Sequence, residues 1–377
     1  VIIPGPVFSG AVPQDFQSFV GIARVRQDLG ASFGGLLATG RVIEGGGHNS
    51  VVGGDFQWRP NDADIVTGQY LYSFTENPNR PDLYPGWLGQ KLSGFGWTAQ
   101  WSHSAPRWQW SAAHTDFAPG FRADDGFVPQ VGYREENASV SYRFFPSGFF
   151  SRLRPLVGGD YATERDGSLI SRRFFPGLSF QGRGGMRGEI DYKVEAVRID
   201  GRTLDYGRLV WTLTFSPSRT LPSVGLTGNY GEQPDVSNVR VGRGASVGMT
   251  ALVRPTDHLG LDLRAERRWI DETVEGLRGR LFTAEIARAK ATYTFNERML
   301  VRLIGQYVRT TRDPSLWVDP VAEREGAFSG SALFSYKLNW QTVLFLGYGD
   351  NRVLEDNGEL QRSDRQFFLK LSYAFRQ

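Results

Sequence analysis

Apolar and polar residues alternate with a period of two from about residue 17 to the end of the chain, a pattern that only extended strands satisfy. Near the C-terminus Phe367, Leu369, Leu371, Tyr373 and Phe375 alternate with Phe368, Lys370, Ser372 and Ala374. Ala287, Ala289, Ala291, Tyr293 and Phe295 alternate with Arg288, Lys290, Thr292 and Thr294, and Ile190, Tyr192, Val194 and Ala196 with Glu189, Asp191, Lys193 and Glu195. The same scheme runs through Leu259, Leu261, Leu263 and Ala265, through Leu209, Trp211, Leu213 and Phe215, and through Ala138, Val140, Tyr142 and Phe144. Each set occupies one face of its strand, so one face is apolar and the other polar or charged. About nineteen such segments of roughly ten residues follow one another, with no amphipathic helix between them.

A soluble antiparallel sheet also alternates. Three features favour a membrane sheet instead. The segments approach the roughly 9–11 residues a tilted strand needs to cross a bilayer. Short connections (59–64, 104–107, 217–222, 254–259, 296–299 and 338–341) alternate with long ones (76–90, 118–133, 230–244, 270–281, 310–326 and 351–365). Aromatics gather at segment ends: Trp58, Trp108, Trp110, Tyr142, Phe144, Phe145, Phe215, Tyr293, Phe295, Trp340, Tyr373 and Phe375. An interfacial belt requires rings with an apolar body and a polar edge there. We therefore read the chain as all-β: residues 16–377 form one transmembrane antiparallel β-barrel of about 18 strands, within roughly 16–20. Short turns are periplasmic and long loops extracellular in this reading.

Nineteen segments is an odd number, and bacterial single-chain barrels are even. Either one segment is miscounted or a strand precedes the sequence. Residues 1–15 lack the basic start and apolar stretch of a signal peptide. They read as an extended segment or as the ragged start of a truncated chain.

Composition removes other classes. With no cysteine there is no disulfide, zinc–thiolate site or cysteine nucleophile. Lys and Arg total 43 against 40 Asp and Glu, a net +3 too small to draw nucleic acid by bulk charge. No apolar run approaches the roughly 18 residues of a membrane helix.

Three stretches carry a family resemblance: Arg24-Val25-Arg26-Gln27-Asp28-Leu29 with Thr39-Gly40-Arg41, Asp125-Gly126-Phe127-Val128-Pro129 with Tyr133-Arg134, and Arg365 to Arg376 at the terminus. Together they resemble the C-terminal outer-membrane barrel of a bacterial family whose members carry an N-terminal domain like a family 9 carbohydrate-binding module. The resemblance implies outer-membrane location and glycan-related work; it specifies no reaction. The last strand is similar to the signal read by the barrel-assembly machinery, although Arg376 and Gln377 follow Phe375. Expected partners are outer-membrane lipid and lipopolysaccharide, that machinery during insertion, and envelope proteins or glycans.

Catalytic and metal chemistry find little support. His114 and Asp116 share a strand face, as general-base work requires, but Trp108 and Trp110 share it too, which marks a polar pair above the bilayer. Ser102 and His103 are adjacent, so they point to opposite faces and cannot form an activated nucleophile. His48 and His258 have no ligand-spaced partner. The acidic pairs Asp62/Asp64, Asp124/Asp125, Asp271/Glu272 and Glu355/Asp356 fall short of the six to eight oxygens calcium takes. Gly-rich pieces at 45–47 and 182–185 precede strands, not helices, and read as turns. We expect no catalytic residue, metal or cofactor.

The inward face is more informative. Arg24, Arg26, Arg143, Glu189, Asp191, Lys193, Glu195, Asp262, Arg264, Glu266, Arg288, Lys290, Arg302 and Lys370 are expected to line the lumen. Both signs are present, so cross-strand ion pairs are available. Either the charges line a porin-like channel for small polar solutes, or they form a paired network in a plugged barrel that anchors a glycan-binding module or envelope partners. The 310–326 loop, with Asp313-Pro314 and Trp317, is long enough to fold inward.

Overall fold

A computed structural model describes residues 2–4, 9–11, 16–274, 276–355 and 358–375. Strands β1 (Ile2–Pro4) and β2 (Ser9–Ala11) form a small antiparallel hairpin within the segment read as extended. The other strands are β3 (Ser18–Leu29), β4 (Ser32–Ile43), β5 (His48–Trp58), β6 (Asp64–Glu76), β7 (Lys91–Ser104), β8 (Trp108–Phe117), β9 (Tyr133–Tyr142), β10 (Phe150–Glu164), β11 (Leu169–Gly182) and β12 (Arg187–Ile199). They continue as β13 (Arg202–Phe215), β14 (Ser223–Asp235), β15 (Arg240–Val253), β16 (Leu259–Val274), β17 (Leu277–Asn296), β18 (Met299–Arg312), β19 (Arg324–Lys337), β20 (Thr342–Leu354) and β21 (Leu360–Tyr373). Among the described residues, β3 to β21 are nineteen antiparallel strands of one sheet, ordered as in the chain. No helix among them is long and apolar enough to cross a membrane.

The sheet divides into two compact parts, one made of Val1–Phe144, Pro155–Pro176 and Glu195–Thr203, the other of Phe145–Arg154, Gly177–Val194 and Leu204–Gln377. Within each, cross-strand register turns the sequence alternation into two chemically distinct faces. In the first part Trp58, Val66, Trp101 and Ala112 share one row of the apolar face. In the second, Tyr293, Val301, Phe334, Leu346 and Leu369 do the same. These faces are bare: Leu36 is 70% exposed and Leu303 51%. An apolar face this extensive is stable only against another apolar phase, which hydrocarbon supplies.

The aromatics at segment ends all lie toward the short-turn end. Trp108 packs edge-on against Tyr142 at 4.9 Å, and Tyr293 against Phe295 at 4.8 Å. The sequence reading missed a second aromatic band. Tyr70, Tyr72, Phe74, Phe95 and Trp97 form it in the first part. Tyr230, Trp269, Tyr307, Phe328, Tyr348 and Phe367 form it in the second. These residues fall inside their strands because the strands run on past the apolar band. For the same reason three connections expected to be long loops, 230–244, 270–281 and 351–365, are mostly paired strand. The longest connections that remain are 77–90, 118–132 and 313–323. At the same end β12 and β13 meet in a two-residue turn, Asp200-Gly201, with φ of 46° and 77°. Two consecutive positive φ values match the right-handed twist of the strands they join.

Candidate functional site

The charges expected to face inward lie on the polar parity of their strands, with one exception. Arg24 pairs with Asp55 at 2.6 Å, Lys290 with Asp262 at 2.8 Å, Arg264 with Glu266 at 3.2 Å and Glu189 with Arg154 at 3.3 Å. Arg26 is held by Asp28 at 2.7 Å and lies over the Phe33 ring. Asp191 and Glu195 are buried. Lys193, Glu266, Arg288, Arg302 and Lys370 share the polar parity. Arg143 is the exception: it follows β9 and donates to the carbonyls of Ala105 and Pro106, both at 3.4 Å, so it ties two short turns together.

Two loops lie on this polar face, one in each part. In the first part the 118–132 segment leaves β8 and seats Phe121, fully buried, against Val51 and Val131. Ser73 Oγ accepts from the Arg122 N–H at 3.0 Å. Asn49 is 1% exposed; its Nδ2 donates to the Arg122 carbonyl at 3.1 Å and to Thr75 Oγ1 at 2.9 Å, and its Oδ1 accepts from the Asp124 N–H at 3.1 Å. A short polar side chain thus satisfies loop backbone that no strand pairs. Gly94 permits the approach, since a Cβ there would come within 2.5 Å of the Phe121 nitrogen. Burial raises the Asp124 carboxyl above its usual range, while nearby Arg41 opposes the shift.

In the second part the 313–323 segment makes a single 3₁₀ turn, Pro314–Leu316, capped by Asp313. Leu316 packs with Ile270 and Leu281, and Trp317 Nε1 donates to the Leu281 carbonyl at 3.2 Å. Beneath it lies an ionisable cluster. Arg240 contacts Glu272, donates to the Leu316 carbonyl, and meets Asp235 at 3.3 Å. Asn238 Nδ2 donates to Asp235 at 2.5 Å, and Asn238 Oδ1 accepts from the Val318 N–H at 2.8 Å. Burial, then the hydrogen bond and negative charge of Asp235, push Glu272 up to about 7, with Arg240 opposing. A β-bulge between Ile270 and Asp271 sends Asp271 to Arg280 on the apolar face and leaves Glu272 with the cluster. Of the ionisable cluster only Glu272 stands out in the sequence, as one of an acidic pair, while Asp313-Pro314 and Trp317 mark the loop above it.

The histidines take other partners. His114 and Asp116 sit on the apolar parity; His114 Nδ1 meets Glu136 at 3.1 Å and stacks on Trp97, while Asp116 holds Arg134 and Arg165. His103 pairs across strands with Asp64 at 2.9 Å and lies flat on Trp110, centroids 3.6 Å apart, within the aromatic band. His258 Nδ1 lies 2.6 Å from the Thr294 carbonyl oxygen. Among the described residues no group of three or more His, Asp or Glu is placed to hold a metal ion. Asp356, Arg376 and Gln377 lie outside the described residues.

No family model matches the chain, and no curated protein matches it. Solved structures do. The alcaligin outer-membrane receptor FauA of Bordetella pertussis superposes with a TM-score of 0.51 at 10% identity, covering 95% of this chain and 68% of its own. The siderophore receptor PiuA of Acinetobacter baumannii gives 0.48 at 10% identity, with 95% and 73% covered. The FrpB iron transporter of Neisseria meningitidis gives 0.47 at 10% identity, with 90% and 66% covered. The likeness to FauA shows the fold, that of an outer-membrane receptor barrel. That fold and the exposed, aromatic-bounded apolar face make this chain an integral protein of the bacterial outer membrane.

Proposed function

We propose that the chain is the wall of a gated outer-membrane transporter for polar solutes, with its polar face lining an aqueous lumen. The carrying observation is the 118–132 loop, bound to the polar face by Phe121, Asn49 and Ser73. The loop satisfies its own backbone on the wall, and a gate needs such a held closed state. The 313–323 loop gives a second hold. Paired charges of both signs suit passage of polar solutes without strong anion or cation selectivity. FauA, PiuA and FrpB are receptors or transporters for alcaligin, siderophores and iron, so a ferric chelate is the first solute to try.

Planar-bilayer recording of the full chain tests this. Wild type is expected to be silent, and the double variant Phe121→Ser, Arg240→Ala to give stable conductance steps, folding being checked by heat-modifiable gel mobility. Steps from wild type overturn the gate in favour of the passive porin-like channel. Silence from a correctly folded double variant overturns transport, and an anchor for a glycan-binding module or envelope partner takes its place.

A further inference from the structure

The apolar face of β15 to β19 carries a furrow rimmed by arginines. Register places Met249, Ala265, Ala287, Tyr307 and Phe328 on one row. On the adjacent row toward the short turns lie Ala251, Leu263, Ala289, Gly305 and Gly330. Ala265, Ala287, Ala289 and Gly305 make a low floor between Met249 and Leu263 on one side and Tyr307 and Phe328 on the other. Two adjoining cavities of about 410 and 850 Å³ occupy it.

Directly above, on the side away from the short turns, the next row reads Val247, Arg267, Glu285, Arg309. Beyond the Trp269 row comes Arg243, Asp271, Arg280. Four guanidinium groups therefore face three carboxylates, since Glu232 lies opposite Arg243 on the second row. Arg267 meets Glu285 at 3.4 Å, and Arg280 pairs with Asp271. Arg309, opposite Glu285, keeps a buried Nε with no hydrogen-bond partner among the described residues. Arg267 and Arg280 also approach the Trp269 ring, at 5.9 and 5.7 Å. Such cations lie at headgroup depth, over hydrocarbon-facing residues.

We propose that this furrow and its rim bind one lipopolysaccharide molecule through its lipid A, acyl chain in the furrow and phosphate on Arg267, Arg280 and Arg309. Charge complementarity selects this occupant. Guanidinium forks match phosphate oxygens, the excess charge is positive, and the rim lies at the end opposite the short turns, where a phosphorylated glycolipid of the outer leaflet presents its phosphates. The inference needs the outer-membrane location and is independent of gating.

Native mass spectrometry of the full chain in detergent tests it, with purified bis-phosphorylated hexa-acyl lipid A as probe and phosphatidylglycerol as the anionic two-chain control. One variant removes charge, Arg267→Gln with Arg309→Gln. The other fills the furrow, Gly305→Leu, where a Cβ meets nothing nearer than the Phe328 ring at 3.9 Å. One bound lipid A is expected on wild type, and each variant is expected to weaken it by at least about tenfold, the scale of losing charge-assisted hydrogen bonds or matched apolar contact. Equal retention of phosphatidylglycerol, or lipid A binding that survives either variant, overturns the site and leaves an ordinary lipid annulus. Heat-modifiable mobility confirms that both variants fold, and conductance is not the readout.

Discussion

The two loops seated on the polar face solve one problem with different chemistry. Loop 118–132 is held chiefly by neutral groups, the amide of Asn49 and the hydroxyl of Ser73 on backbone, around the buried ring of Phe121, with one long contact from Arg41 to the Asp124 carbonyl at 3.5 Å. Loop 313–323 is held by charge: one guanidinium, Arg240, shared between Asp235, Glu272 and the Leu316 carbonyl. A neutral anchor holds through directional hydrogen bonds and packing, which pH scarcely touches. An ionic anchor buried beside a second carboxylate holds best while one acid keeps its proton. Under the gating reading, the first loop is a mechanical latch in its own part and the second a latch that acidity tightens in its own.

The largest expected effect falls on the neutral anchor. Phe121→Ala empties a fully buried site and is expected to cost the closed state about 3–5 kcal/mol, as large-to-small core changes do. Hydrogen exchange should rise across 118–132 and stay unchanged across 313–323; a rise in both would mean that the loops are one unit. Next comes the pH contrast. Glu272 has its proton affinity raised in the folded protein, to about 7, so its contribution is full below the ordinary carboxylate range and is lost as pH rises through about 7. Exchange in 313–323, corrected for its intrinsic pH dependence, is expected to quicken from pH 5 to pH 8, and Glu272→Gln to flatten that profile. Asp124 is raised by burial in the first loop as well, with the same sign, but the Asn49 and Ser73 bonds persist there, so the slope in 118–132 is expected to be shallower. The smallest effect lies away from both anchors. Lys290 and Asp262 are 37% and 53% exposed in side chain, so Lys290→Ala is expected to change unfolding in lipid vesicles by about 0.2–1 kcal/mol. A larger loss would mean that the polar-face pairs act as a network.

Legibility differed by scale. The strands, their two faces and the lower aromatic band could be read directly, because a period of two is local information. The upper band, Tyr70 to Trp97 and Tyr230 to Phe367, was hidden: its residues lie mid-strand, and nothing in one strand marks where hydrocarbon ends. The loop anchors were hidden more deeply. Asn49 and Ser73 look like any polar residues of an alternating strand, and Asp235, Arg240 and Glu272 lie on three strands joined only by register. The 310–326 segment stands out in the sequence for Asp313-Pro314 and Trp317, yet Leu316 is the residue it buries.

By itself the sequence determined the class of the protein: side-chain alternation dictates strand faces, and an unpaired apolar face dictates a membrane. Tertiary structure decided where that face stops, which carboxylates share a cation, and which loop lies on which strands. Those depend on cross-strand register and on one bulge at Ile270, and register is a relation between segments that no single segment encodes.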